Sequence, residues 1–433
     1  MRQKPHGKSG PWATIRGNEK REMAIDSVRL SKKEAESAAR GCLVKFDTRR
    51  RFLIRCAELS LFPLIQCVNF LRSPRKGPSN TIENILVMEG GQLGDIALLL
   101  PFLQNLRLHY PGRRISLLAN PKAFSLLENL ALVDELISVE IPWIANVARW
   151  GKYNPVSSQW VRFVRTVFHL YSRKFDLSLC ARADIRDNFL MWLTGAKRRV
   201  GYAFYGGDFL LTDTVTPDLD HLHYSSRWLR LLEHLGKQVS NRQPRFQLSR
   251  EEEIFAKEYL AKLQIGAGDL LIGIHPGARV RTRQWGAENF RALGEKLVAQ
   301  QPAKILWFQD PNVRTPTGLP SSFVPVTLPL RQFMAVLAHC NFLICNDSGP
   351  MHIATALGVP VVAVFGPNKP DWFGPLGEGN KIVINPAFWC RPCGDRCIFD
   401  QPYCLRTISV EQVFQAASTL STGSVPVHSG ERS

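Results

Sequence analysis

The stretch Ile85-Leu86-Val87-Met88-Glu89-Gly90-Gly91-Gln92-Leu93-Gly94-Asp95 decides how the rest of the chain is read. Its four leading apolar residues suit a strand buried on both faces, and the glycines that follow allow a tight turn. Asp95 then opens a helical run that continues to His109 and is stopped by Pro111-Gly112. A strand, a glycine turn and a helix in that order are the first unit of a parallel α/β sheet.

The order repeats on the C-terminal side. Strands are expected at Ile115–Leu118, Leu136–Val139 and Leu177–Cys180, with helices at Ala123–Leu130, Val161–Tyr171 and Arg186–Leu193. After the polar stretch Lys237–Pro244 a second series begins. It places helices at Glu252–Leu263, Ala287–Ala299, Arg331–His339 and Met351–Leu357, and strands at Leu270–His275, Ile305–Phe308, Phe342–Cys345 and Val361–Phe365. The expected fold is therefore α/β, with two Rossmann-like doubly wound domains facing a cleft. The first of these domains covers residues 81–240, the second covers 241–433, and a basic extension covers 1–80. In such sheets ligands bind at the carboxyl ends of strands, so the chemistry is sought in the strand-to-helix loops.

The 433 residues exceed one ordinary α/β domain, and 45% apolar content is enough for two cores. The net charge is +18, of which residues 1–80 carry +11, with 18 basic against 7 acidic side chains. That asymmetry points to an anionic partner, and nucleic acid, the acidic inner membrane surface and an anionic glycolipid all fit it. No apolar signal core precedes a small-residue cleavage site in the first 25 residues, so a cytoplasmic location is expected, peripheral on the inner face of the cytoplasmic membrane. Within the extension, Phe52–Leu71 is apolar apart from Arg55, Glu58, Gln66 and Asn69, which fall on one helical stripe. It reads either as a helix lying in a membrane interface between basic flanks or as one packed on the protein.

Four loops carry the candidate chemistry. In the first, Asp95 at the helix start either caps the helix or accepts a proton from an incoming hydroxyl. The second, Cys345-Asn346-Asp347-Ser348-Gly349-Pro350-Met351-His352, has Pro350 suited to the first helical position and Gly349 clearing room for a diphosphate at the N–H groups. Asp347 would repel a phosphate, so a ribose hydroxyl or a neighbouring donor is its expected partner, and His352 is either a donor to phosphate or a packed side chain. The third runs from His275 to Trp285 and offers Arg279, Arg281 and Arg283 to neutralise a leaving diphosphate. The fourth, Val364–Pro370, closes the series. On the acceptor side Arg182 and Arg186 follow a strand and suit an anionic sugar or phosphate, as does the run Lys197-Arg198-Arg199.

Taken together, Ile85–Pro101, Ile272–Phe290 and Phe342–Pro375 resemble glycosyltransferase family 9, the lipopolysaccharide heptosyltransferases. The resemblance covers most of the chain after residue 82. It implies a GT-B architecture and transfer of heptose from ADP-heptose to a lipid A core acceptor, with inversion and without a catalytic cofactor. It also implies Asp95 as catalytic base and Thr282, Arg283, Asp347, Ser348, Gly349 and His352 as donor-binding residues. Two positions depart from the family pattern: Glu89 stands where arginine is frequent, and Arg283 where lysine is usual. The first leaves the acceptor open, and the second keeps the charge with a different geometry.

Cys390, Cys393, Cys397 and Cys404 are close enough in sequence for a structural zinc site, or for reduced thiols and a redox-sensitive pair. Two other functional classes fit parts of the pattern. A nucleotide-sugar epimerase shares the two-domain architecture, and a non-enzymatic membrane- or nucleic-acid-binding module would rest on the basic extension alone.

Overall fold

Continuous apolar runs form the central strands because helices cover both faces of each sheet, leaving no position for a polar side chain to reach water. The computed structural model describes residues 62, 63, 65, 81–138, 158–204, 206–216, 221–266, 268–388, 390–395 and 397–421. The first sheet holds six parallel strands: β1 (Asn84–Glu89), β2 (Arg114–Ala119), β3 (Glu135–Ser138), β4 (Leu177–Cys180), β5 (Arg198–Tyr202) and β6 (Asp213–Val215). Its helices are α1 (Leu93–His109), α2 (Phe124–Leu127), α3 (Ser158–Ser172), α4 (Ile185–Leu193) and α5 (Tyr224–His234). After α6 (Arg250–Lys262) the second sheet brings β7 (Leu271–His275), α7 (Ala287–Gln300), β8 (Lys304–Phe308), β9 (Phe323–Val326), α8 (Leu330–Leu337) and β10 (Phe342–Asn346). It ends with α9 (Gly349–Ala356), β11 (Val361–Phe365), α10 (Pro370–Phe373), β12 (Lys381–Ile384), α11 (Tyr403–Arg406) and α12 (Val410–Ser421).

The strand orders are β3-β2-β1-β4-β5-β6 and β12-β11-β10-β7-β8-β9. The second is the first repeated, with β7 in the place of β1 and β10 in that of β4. Each sheet reverses direction once, between β1 and β4 and between β7 and β10, and loops leaving those strands diverge to opposite faces. Such a divergence opens a crevice, the usual ligand site in open α/β sheets.

Several elements lie outside the apolar pattern. β5 opens on Arg198-Arg199, offered by the sequence as cations for an anionic sugar or phosphate or as part of a solvated turn. They instead start the strand at the sheet edge opposite its carboxyl ends, where Arg198 pairs with Asp213 at 2.6 Å and Arg199 donates to the Leu210 and Ala196 carbonyls. Lys197 pairs with Asp176 at 2.8 Å. β6 has only three residues, too few to show a period. β9 contains Pro325, which an edge strand tolerates because one side of its backbone has no partner.

The basic extension, and most of the apolar segment Phe52–Leu71, lie outside the described residues. Within that segment Phe62, Pro63 and Ile65 have helical backbone, and Ile65 is buried against Trp192 and Leu210. The Phe62 ring meets Phe209 edge-on at 5.7 Å. At these positions the packed reading holds.

Helix α1 is the mechanical centre. It is apolar nearly all round because it is wedged between sheet one, α5 and α9. Its buried Asn105 donates to the Pro101 and Asn241 carbonyls and accepts from the Ser240 N–H, pinning the segment that leads to the second sheet. Farther along, Phe246 N–H bonds to the Ala356 carbonyl at the end of α9. Phe102 and Trp228, both fully buried, pack with centroids 4.9 Å apart and fix α1 to α5. Phe102→Ala is expected to cost roughly 3–5 kcal/mol of unfolding free energy. The check is the denaturant midpoint, which should fall with an unchanged m-value.

Candidate active site

Four loops leave the two crevices: β1 to α1, β4 to α4, β7 to the turn at Arg281–Arg283, and β10 to α9. The first turns on Glu89, whose side chain is fully buried. Its Oε1 accepts the Gly91 N–H at 2.8 Å and its Oε2 accepts the Tyr224 hydroxyl at 2.6 Å, with the Arg182 guanidinium 3.6 Å away. Burial pushes the Glu89 carboxyl up to about 7, against the opposing pull of Arg182. The loop then delivers Asp95 as the third residue of α1, not its cap. Gln92 is the N-cap residue, and Asp95 Oδ2 accepts the Gln92 N–H at 2.7 Å. That bond fixes the carboxylate and leaves Oδ1 without a hydrogen-bond partner among the described residues. A Cβ at position 91 would lie 2.2 Å from Asp95 Oδ2, so only glycine permits this arrangement.

The β4 loop supplies Arg182 and Arg186, the expected acceptor-binding cations. Arg182 Nε donates to Asp187 at 2.8 Å, so the guanidinium lies between two buried carboxylates, those of Asp187 and Glu89. Asp184 caps α4 and also receives Arg186 at 2.6 and 2.9 Å. Both cations therefore already have protein carboxylates as partners, and Arg182 links the acceptor-side wall to the Glu89 loop.

On the opposite wall, Asn346 joins two loops. Fully buried, it accepts the Trp285 N–H at 3.0 Å and donates to the Pro276 carbonyl at 2.7 Å. Arg283 donates twice to Asp395, each bond 2.7 Å, and its Nη1 stands 3.6 Å from Asp347 Oδ2. Asp347 accepts from Asn368 Nδ2 at 2.5 Å. Burial raises the Asp347 carboxyl to about 6, with Arg283 and Asn368 opposing the rise. Ser348 occupies the N-cap position of α9, yet its hydroxyl turns back to the Asn346 carbonyl at 3.2 Å and leaves the first turn without a side-chain cap. His352 is nine-tenths buried, and its Nδ1 has no hydrogen-bond partner among the described residues. Burial, with His223 and Arg283 nearby, lowers it to about 3, so it is a neutral imidazole at physiological pH.

The two walls meet at two glycines. A Cβ on Gly94 of α1 would stand 3.0 Å from His352 Cδ2 and 3.4 Å from Gly349 Cα, and one on Gly349 would meet the Gly94 N–H at 3.5 Å. The N-termini of α1 and α9 thus abut, bringing together Asp95 on one side and Asp347, Ser348, Gly349, His352 and Arg283 on the other. Their positive dipole ends point into one region, which favours an anion there. Thr282 is not part of this group. The short 3₁₀ turn sends it away from Arg283 into a small cavity lined by Cys390, Cys393, Cys397 and Cys404, where its Oγ1 has no partner. The four cysteines are free thiols, and among the described residues no three His, Cys, Asp or Glu side chains are placed to hold a metal ion. Burial holds Cys393 near 11 and Cys404 near 12, which keeps both protonated.

Four participants carried no sequence signal strong enough to assign them: Tyr224, Asp187, Asn368 and Asp395. Tyr224, Asn368 and Asp395 lie far in sequence from the residues they hold, and Asp187, although close to Arg182, reads as an ordinary acidic residue in the first turn of α4. Asn368 lies in the fourth loop of the sequence reading, and an amide just past a strand was its only clue.

The family model for glycosyltransferase family 9 (heptosyltransferase) matches residues 164–401, more than half of the chain. Lipooligosaccharide heptosyltransferase 2 of Campylobacter jejuni is 34% identical over 87 residues, 20% of this chain and 28% of its own length, so the match spans less than two thirds of that relative. Lipooligosaccharide heptosyltransferase 2 of Haemophilus influenzae is 23% identical over 69% of this chain and 88% of its own. Among solved structures, a family 9 glycosyl transferase from Veillonella parvula superposes with a TM-score of 0.63 at 24% identity, over 80% of this chain and 99% of that one.

The carboxyl of Asp347 makes a stability prediction with a definite sign. Its folded pKa, about 6, lies above the ordinary 3.8, so the stability of the protonated form is full below 3.8 and lost as pH rises through about 6. Asp347→Asn retains the uncharged form at all pH values. The variant should match the wild type at low pH and become more stable above pH 6, by on the order of 3 kcal/mol. Urea midpoints across that range check this; a difference independent of pH would show that burial imposes no such cost.

Proposed function

The chain belongs to glycosyltransferase family 9, and from that premise we propose that it transfers heptose from ADP-heptose to an anionic glycolipid of the lipopolysaccharide core, with Asp95 as general base. The observation that carries the reading is the abutment of α1 and α9 through Gly94 and Gly349, which sets a carboxylate with one open oxygen beside an uncapped helix N-terminus.

In this mechanism Oδ1 of Asp95 takes the proton of an acceptor hydroxyl as that oxygen attacks the anomeric carbon. The bond from that carbon to the diphosphate breaks on the opposite side, which inverts the centre, and the electron pair leaves with the diphosphate. The α9 N–H groups, the guanidinium of Arg283 and the neutral ring of His352 receive the developing charge. Asp347 accepts from Asn368 and faces Arg283, so its part is to aim that cation at the phosphate. Asn346 holds the β7 and β10 loops in register with each other. The donor's base and sugar are the finer part of the proposal, as is the core acceptor.

We place the reaction in the cytoplasm, at the inner membrane surface where such an acceptor would be met. Among the described residues no helix is long and apolar enough to cross a membrane, and the net charge of +18 favours an anionic surface.

Asp95→Asn keeps the helix-capping geometry and removes the base. Turnover with ADP-heptose and a core glycolipid should fall by about 10²–10⁴-fold, while the dissociation constant for ADP measured by calorimetry changes little. Unchanged turnover would remove Asp95 from the mechanism.

A further inference from the structure

A fully buried carboxylate needs a reason, because a well-packed apolar residue in its place would cost less. Glu89 is such a group: it ends β1 at the start of the turn that carries Asp95, and none of its surface is exposed. It cannot touch an acceptor, so any part it has in the reaction passes through its partners. Oε1 accepts the Gly91 N–H at 2.8 Å, inside that turn. Oε2 accepts the Tyr224 hydroxyl at 2.6 Å, from the first turn of α5 and 135 residues along the chain.

Tyr224 is itself fastened to the wall built by the second sheet. Its ring packs on Phe373 with centroids 5.6 Å apart, and the neighbouring His223 reaches the Gly374 carbonyl with Nε2 at 3.1 Å. His223 Nδ1 accepts the Ser225 N–H at 3.3 Å, so in a neutral ring the proton lies on Nε2 and is donated to Gly374. Burial takes His223 down to about 4, which keeps the ring neutral. Phe373 and Gly374 close α10, the helix that follows Asn368, and the Asn368 amide holds Asp347. One short stretch thus meets Asp347 at one end and Tyr224 at the other. Burial pushes the Tyr224 phenol well above its usual value, and the Glu89 charge adds to the rise, so the proton stays on Tyr224 and the bond runs from hydroxyl to carboxylate.

We propose that Tyr224 is a positioning residue for the base: through Glu89 it fixes the Gly91 turn, and so holds Asp95 in register with the wall on which Phe373 and Asn368 stand. The inference rests on the reading of Asp95 as general base and names what sets its position. Ionised Glu89 is the form that transmits the hold. A carboxylate accepts the Gly91 N–H and the Tyr224 hydroxyl together in charge-assisted bonds, whereas the protonated acid must donate where it had accepted. The titratable and charged groups that face Glu89 are Cys180 at the end of β4, Arg182 in the loop after it, Asp95 on α1 and Tyr224 on α5, with Asp187 of α4 beyond Arg182. Burial, joined by Asp95, opposes ionisation; Arg182, Tyr224 and the Gly91 N–H favour it, and the balance stands at about 7. Transfer therefore rises with pH through about 7.

Two variants test this. Y224F keeps the ring on Phe373 and removes only the hydroxyl, and E89Q keeps an acceptor for the Gly91 N–H without the charge. With ADP-heptose and a core glycolipid at saturation, each should lower kcat by about 10–100-fold, with the dissociation constant for ADP unchanged by calorimetry. The double variant Y224F/E89Q should be no slower than E89Q, because the hydroxyl acts through the carboxylate. The rise of kcat near pH 7 should move to higher pH in Y224F, which loses a bond favouring the ionised form, and should vanish in E89Q. Amide exchange read by mass spectrometry should quicken over residues 89–95 in Y224F and stay the same in β7, which shows the fold intact. Wild-type kcat and pH profile in Y224F overturn the proposal, as do additive losses in the double variant. So does weaker ADP binding at unchanged kcat, which would assign Tyr224 to the second sheet's wall alone. If the wild type transfers no heptose, the functional reading fails by itself: faster exchange over 89–95 in Y224F then still leaves Tyr224 as the group that fixes the turn, and unchanged exchange removes it from that part as well.

Discussion

The contact between Gly94 and Gly349 is the constraint on which the site depends. Two helices start there, each from the crevice of its own sheet, and a side chain on Gly94 would press on the His352 ring at 3.0 Å, while one on Gly349 would meet the Gly94 nitrogen at an ordinary 3.5 Å. The approach superimposes two helix N-termini, so uncompensated N–H groups from both domains share one volume. Everything proposed for the chemistry follows from that superposition. The base rides on the first turn of one helix and the diphosphate cradle is the first turn of the other. The rest of α1, wedged between sheet one, α5 and α9, serves to hold its N-terminus in place.

Around that contact the protein buries charge at a cost. Glu89, Arg182 and Asp187 form one cluster with Tyr224; Arg283, Asp347 and Asp395 form another with Asn368. Desolvating such groups is rarely repaid in full by their attraction, so these clusters are poor sources of stability. They are effective at fixing direction. Glu89 draws the Gly91 N–H and the Tyr224 hydroxyl onto one carboxylate and so shapes the loop that presents Asp95. The raised carboxyls of Glu89 and Asp347 carry the cost of that burial. The glutamate at position 89, where the resemblance leads one to expect arginine, is held by the Gly91 N–H, the Tyr224 hydroxyl and the guanidinium of Arg182 on the neighbouring strand's loop.

The sequence by itself determined the two α/β halves, the order of their main strands and the identity of the key loops. Apolar runs and glycine turns are local signals, and Asp95, Arg283, Asp347, Ser348, Gly349 and His352 all lie within or beside them. β6, β9 and β12 escaped because a strand with one open side is allowed charge, proline or brevity, and β5, paired on both sides, escaped because it opens on Arg198-Arg199 instead of an apolar run. Only the tertiary structure decided how the residues are used. It moved Thr282 and the four cysteines to a separate cavity, gave Arg182 and Arg186 carboxylate partners, and turned Asp95 from a cap into a fixed carboxylate with one open oxygen. The site is completed by partners that only folding brings close, as Tyr224 is to Glu89 and Gly349 to Gly94, and proximity between residues so far apart in the chain leaves no trace in local composition or period.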